Sequence, residues 1–174
     1  AEDLLSDIDS ILKRQRLTPT EVTNIVVSAG PGSFTGIRIG IATALGFAAG
    51  LGITPTQISL FEAMLIASGL ESPAITAVPA GRGMVQFAVL ALSVDAIKYT
   101  IEPKAILAAE LIASPDLKSF EYFVVFDGHF DDEILADFQG SLITIGETPA
   151  TTLVAAANDH RVRKNVEPIL ISKG

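Results

Sequence analysis

Gly30, Gly32, Ser33, Thr35 and Arg38 come nearest, by type and spacing, to binding chemistry in this 174-residue chain. A glycine-rich turn feeding a helix presents backbone amides at the positive end of the helix dipole, an arrangement that suits an anion. Thr35 stands where a helix N-cap is expected. Arg38, one turn in, is badly placed for that dipole and is better suited to meeting an acid or anion from a partner. The spelling is not that of a nucleotide loop. A P-loop needs glycine, four residues and then Gly-Lys-Ser/Thr, whereas Gly36 is followed by Ile37, and a dinucleotide fingerprint needs glycine where Thr35 stands. These five residues are therefore a candidate anion-binding loop without a phosphate-transfer signature.

Hydrolytic and metal chemistry find less support. The chain has no cysteine, hence no disulfide, thiolate nucleophile or thiolate ligand, which fits a reducing compartment. Its two histidines, His129 and His160, form no paired-histidine motif on a helix, so no metal site is expected. A serine nucleophile with Asp127 and His129 stays open on residue types alone, but Phe126-Asp127-Gly128-His129 reads more simply as a strand end and a turn. Asp131, Asp132 and Glu133 read as first-turn acids of a helix over 131–138.

The elements that must position the Gly30 loop are a β-branched strand over 24–29 and a helix over 36–50. Along that helix Gly36, Gly40, Ala44 and Ala48 recur every four residues beside a bulkier row of Ile37, Ile41 and Leu45. Interior Gly40 and Gly46 each cost about 1 kcal/mol against alanine, a loss tolerated where small residues admit another backbone. The favoured reading is a docking face for a partner helix; packing against the chain's own sheet is the alternative. A second amphipathic helix is expected over 2–16, with Leu4, Leu5, Ile8, Ile11 and Leu12 on one face. Its acids (Glu2, Asp3, Asp7, Asp9) fall early and its bases (Lys13, Arg14, Arg16) late, as the dipole prefers. Leu4, Leu5, Ile8, Ile11, Leu12, Gly36, Ile37, Gly40, Ile41, Ala44 and Ala48 are thus the candidate partner-binding residues.

Thr18-Pro19-Thr20-Glu21 and Ser59-Leu-Phe-Glu62 both carry capping-box signatures, the second opening a helix to about Ser68 that Gly69 ends. A boundary is expected near Glu71-Ser72-Pro73, dividing the chain into residues 1–70 and 71–174. Beyond it the pattern predicts a hairpin of strands 74–78 and 84–92, strands at 98–101, 122–126 and 142–145, and helices near 104–113, 131–138 and 149–157. This is an α/β lobe of the ribonuclease-H-like kind. With 49% hydrophobic and 18% charged residues the chain can build a packed core. The apolar helix followed by Thr54-Pro55 is short of the ~20 residues of a membrane span, so no membrane association is expected. A net charge of −8 argues against autonomous nucleic-acid binding, and the basic run His160-Arg161-Val162-Arg163-Lys164 reads as a solvated loop.

Gly30-Pro-Gly-Ser-Phe-Thr-Gly36 with its helix, Ser59-Leu-Phe-Glu62, Arg82-Gly-Met-Val-Gln-Phe87 and Glu167-Pro-Ile-Leu170 resemble, in that order and over most of the chain, the TsaB family, also called YeaZ. The resemblance implies the actin-like ATPase (ribonuclease-H-like) fold of two lobes and a cytoplasmic role in making threonylcarbamoyladenosine in tRNA. It implies a non-catalytic partner of a TsaD-like, metal-binding catalytic subunit, joined by a TsaE-like ATPase, with a homodimer in isolation and tRNA met only through the complex. No cofactor of the chain's own is expected, and ATP or ADP is left to the partner interface. A nucleotide-binding enzyme of the ATPase or kinase class, or a peptidase as in the family's older glycoprotease label, stands as the alternative. Two departures matter. Family members open with a strand bearing an aspartate-threonine phosphate loop and two further strands, whereas this chain starts at Ala1 in the following helix, so a first lobe without those strands and with an exposed sheet edge is expected. Pro79-Ala80-Gly81 also stands where the family commonly carries an aspartate, which weakens a metal or nucleotide role in the second lobe.

Overall fold

The computed structural model describes residues 2–111, 113–130 and 135–169. Helix α1 (Glu2–Arg14) and a 3-10 turn (Pro19–Glu21) lead into β1 (Val26–Ser28), α2 (Phe34–Leu51), β2 (Thr56–Ile58) and α3 (Leu60–Ser68). There follow β3 (Ala74–Gly81), β4 (Met84–Leu92), β5 (Ile97–Leu107), a short α4 (Ala108–Leu111), β6 (Tyr122–Phe126), β7 (Ser141–Ile145) and α5 (Pro149–Ala156).

The larger sheet has the order β5-β4-β3-β6-β7. β3, β4 and β5 form an antiparallel meander, while β6 and β7 add in parallel beside β3. Its central strands are apolar on both faces, as strands covered on both sides must be. Toward α3 and α5 lie Ala74, Val78, Ala88, Leu90, Val124 and Phe126, packed on Phe61, Met64 and Leu65. Toward the opposite layer lie Ile75, Ala77, Val85, Phe87, Phe123 and Val125, covered by Leu111 and Leu117. β1 and β2 make a separate two-stranded parallel sheet with α2 as the crossover. Ile58 and Leu60 share the core of the larger sheet, so the apolar interior continues across the loop at Glu71.

Local signals explain much of this. Arg82 and Gly83, with φ of 54° and 71°, form the two-residue turn joining β3 to β4, a conformation that hairpin twist demands. Gly52 and Gly69 end α2 and α3 in the left-handed region, as C-terminal glycines do. The box at Thr18 forms: its N–H donates to Glu21 Oε2 at 2.7 Å, and with the Thr18 hydroxyl holds that carboxyl below its ordinary range.

Several expectations are corrected. The first strand is three residues, not 24–29, and α1 stops at Arg14. Strand β3 runs past Val78 to Gly81, with a register shift between Pro79 and Gly81. The helix expected at 104–113 shrinks to α4, because β5 stays paired with β4 as far as Leu107 opposite Met84. Sheet pairing there overrides a helical composition. The start of the helix expected at 131–138, with Asp131, Asp132 and Glu133, lies outside the described residues.

Helix α2 is long and apolar enough, by length and composition, to cross a membrane. Its setting is that of a crossover: it leaves β1 and returns to β2, which pairs in parallel with β1 in one sheet, so both its ends are tied to the same small layer.

Candidate functional site

The Gly30 loop is fastened from three sides. The Gly30 N–H donates to Ser28 Oγ at 3.1 Å and its carbonyl accepts from Leu60 N at 2.8 Å. Gly32 N–H donates to Gln86 Oε1 of β4 at 2.8 Å, tying the loop to the larger sheet. Ile169 N–H donates to the Ala29 carbonyl at 2.6 Å. Glycine is required at position 30: φ is 109°, and a Cβ there would lie 2.9 Å from the Ile169 carbonyl oxygen and 3.1 Å from Ile37 Cδ1.

Helix α2 begins earlier than expected. Ser33, not Thr35, is the cap, and its Oγ accepts from Gly36 N at 3.0 Å. The anion-loop residues are therefore brought together, but two amides of the loop, those of Gly30 and Gly32, are spent on Ser28 and Gln86. Arg38 is exposed and lies over the Phe34 ring, 3.8 Å from its centroid.

The small-residue stripe is also corrected. Ala44 and Ala48 are buried, Ile37 with them, and Gly40 faces Val27 of β1, whose Cγ2 lies 4.0 Å from the place of a Cβ. This face seats α2 on the chain's own strand. Ile41 is half-buried, and Gly36 is exposed but crowded by Ser33 Oγ. What α2 turns outward is Phe34 (53% exposed), Arg38, Ala42, Leu45 (48%), Gly46 and Ala49. In α1, Leu4, Leu5 and Ile11 are exposed and Ile8 and Leu12 half-buried, so its apolar stripe lies largely open.

A shallow cleft of about 430 Å³ opens beside the loop, between Pro31, Gly32, Leu60, Val78, Pro79 and Phe126 and the residues Gly128, His129 and Pro149. Its walls are mainly apolar, and among the described residues His129 is the one ionisable side chain on them. Among the described residues no group of three or more His, Asp or Glu is placed to hold a metal ion.

Sequence reasoning missed one polar cluster. Glu62, which looks like the third helical residue of a capping box, is fully buried and does not turn back to its own helix start. It accepts from Arg163 N at 2.9 Å and Arg163 Nε at 2.7 Å, while Ser59 Oγ accepts from the Tyr99 hydroxyl at 3.1 Å. Arg163 also lies over the Tyr99 ring. Burial pushes the Tyr99 phenol up to about 12. The signal available was an acid inside the otherwise apolar Leu60-Phe-Glu-Ala-Met-Leu-Ile run. In the basic run, Arg161 is likewise engaged: it forks onto Asp159 at 2.9 and 2.6 Å and draws that carboxyl down to about 2.

A mixed sheet flanked by helices, joined through a glycine loop to a smaller βαβ layer, defines an α/β protein of the actin-like, ribonuclease-H-like class. The crystal structure of an uncharacterized protein with similarity to peptidase YeaZ from Pseudomonas aeruginosa matches the fold over 99% of this chain and 84% of its own, with a TM-score of 0.64 at 18% identity. The chain belongs to the family described as TsaD: tRNA N6-adenosine threonylcarbamoyltransferase, whose model matches residues 1–128. Curated relatives carry the name tRNA threonylcarbamoyladenosine biosynthesis protein TsaB, in accord with the resemblance read from the Gly30 motif. That of Buchnera aphidicola is 42% identical over 64 residues, 37% of this chain and 28% of its own length. That of Bacillus subtilis is 29% identical over 126 residues, 70% of this chain and 53% of its own. The chain thus spans about half the length, or less, of these relatives.

Proposed function

We propose that this chain is a non-catalytic scaffold in the synthesis of threonylcarbamoyladenosine in tRNA, acting by holding a TsaD-like catalytic subunit in its competent conformation. Family membership supports the choice of reaction. The observation that carries the scaffold reading is the run of uncovered apolar side chains on two helices: Leu4, Leu5 and Ile11 on α1, and Phe34 and Leu45 on α2. Large exposed apolar surfaces are those through which proteins dock, and the scaffold reading takes these two helices to provide one. ATP or ADP, a TsaE-like ATPase and tRNA are accordingly assigned to the assembled cytoplasmic complex, and pairing of two copies through the same helices to the isolated chain.

The test is reconstitution of threonylcarbamoyl transfer with and without this chain, using Leu5→Glu and Leu45→Glu. Both positions are about half exposed, so each variant is expected to keep the fold, which circular dichroism checks. Each is expected to lose copurification with the TsaD-like subunit and to cut transfer at least tenfold, since a charge is then buried at the interface. Wild-type copurification by both variants, or transfer by this chain alone, defeats the reading.

A further inference from the structure

We propose that residues 163–169 form a strap that sets the Gly30 loop and the start of α2, with Glu62 as its anchoring and positioning residue. The strap is tied at three successive points. Arg163 donates from its backbone N and its Nε to the buried Glu62 carboxylate. Asn165 N–H, in a residue with φ of 55°, donates to the Gln57 carbonyl of β2 at 2.7 Å. Ile169 N–H donates to Ala29 at 2.6 Å, and Ile169 occupies the space a side chain on Gly30 would need. That same space is bounded by Ile37, so the strap, the loop and the first turn of α2 are one packed unit. Val162, just before the strap, is buried in the main core and fixes the near end.

A carboxylate sealed from water is costly unless its oxygens are paired, so a fully buried Glu62 is strong anchorage for the segment that, among the described residues, pairs it. The far end of the strap sits beside the bend at Gly30-Pro31-Gly32, so displacing Ile169 removes one of the loop's fastenings and empties the space beside Gly30 and Ile37 while the bonds to Ser28, Leu60 and Gln86 remain. The consequence is that the strap helps to set the direction in which the first turn of α2 presents Phe34 and Arg38, while the rest of the helix rests on β1. This last step rests on the docking role proposed for the outward face of α2.

The experiment is hydrogen exchange on the whole chain, comparing Glu62→Gln, Ile169→Pro, which deletes the N–H to Ala29, and Ile169→Val, which keeps it. Ile169→Pro serves where Glu62→Gln fails to fold. Expected is a loss of protection at residues 29–37 at least tenfold greater than at residues 74–92 in Glu62→Gln and Ile169→Pro, with wild-type protection in Ile169→Val. Copurification with the TsaD-like subunit weakens in the same two variants and not in the third. Equal loss in both regions, no loss at 29–37, or copurification unchanged while 29–37 opens overturns the proposal. If the wild-type chain captures no such subunit, the docking reading fails separately, and the exchange pattern still judges the strap.

Discussion

At the level of single residues, the buried Ser59 and Glu62 are met by two less buried side chains, Tyr99 and Arg163. Arg163→Ala leaves Glu62 with only a backbone donor in a fully buried site, but the lost guanidinium is itself half exposed, so the cost in urea unfolding should be about 1–2 kcal/mol, less than for a pair buried on both sides. A loss under about 0.5 kcal/mol, the ordinary noise of surface changes, means the carboxylate is not held as described. Tyr99 gives an optical check, because the chain has two tyrosines and no tryptophan. With the folded phenol raised to about 12 from 10, the folded form holds its proton longer than the unfolded form. Stability from this group is complete below pH 10 and is lost as pH rises from 10 toward 12. Absorbance titration should show one phenolate step near 12 that Tyr99→Phe removes; a wild-type chain with no late step contradicts the burial. For Asp159 the sign is opposite: its contribution is present above about 3.8 and falls away as pH drops toward 2, and Arg161→Ala should shift the acid unfolding midpoint upward.

At the level of elements, α2 carries two kinds of glycine that the sequence alone does not distinguish. Gly40 abuts Val27, whereas a Cβ on Gly46 or Gly50 meets nothing within 4 Å. Gly46→Ala should therefore stabilise the protein by about 0.5–1 kcal/mol through helix propensity, seen as a rise in Tm. Gly40→Leu should drive side-chain carbons into β1 and destabilise the small sheet, so it tests folding before it tests docking. An unchanged Tm for Gly40→Leu would mean that α2 does not rest on β1. The Ser33 cap shows why the helix start was illegible: Ser33 and Thr35 both suit a cap, and the choice is made by where the strand end and the Gly32 to Gln86 bond deliver the chain.

For the whole molecule, two layers meet at a cleft with apolar walls, and the chain's net charge is −8. Calorimetry of the chain alone with ATP and magnesium should give no binding heat, with heat appearing once the TsaD-like subunit is present; saturable binding by the chain alone would move the nucleotide into this cleft and weaken the scaffold reading. Strands 122–126 and 84–92 were readable because an apolar run bounded by turns has few alternatives in a buried sheet. The length of β5 was not, since Lys104 to Leu107 suit either a helix or a strand until β4 pairs with them.

By itself, the sequence determined the family, the α/β class, the glycine loop and the two apolar helices, because motif spelling and hydrophobic period are local properties of the chain. Only the tertiary structure decided which side of α2 is covered, and that Glu62 binds a segment about a hundred residues away rather than its own helix start. Those outcomes depend on which surfaces meet once the strands have paired, and no short-range pattern records that.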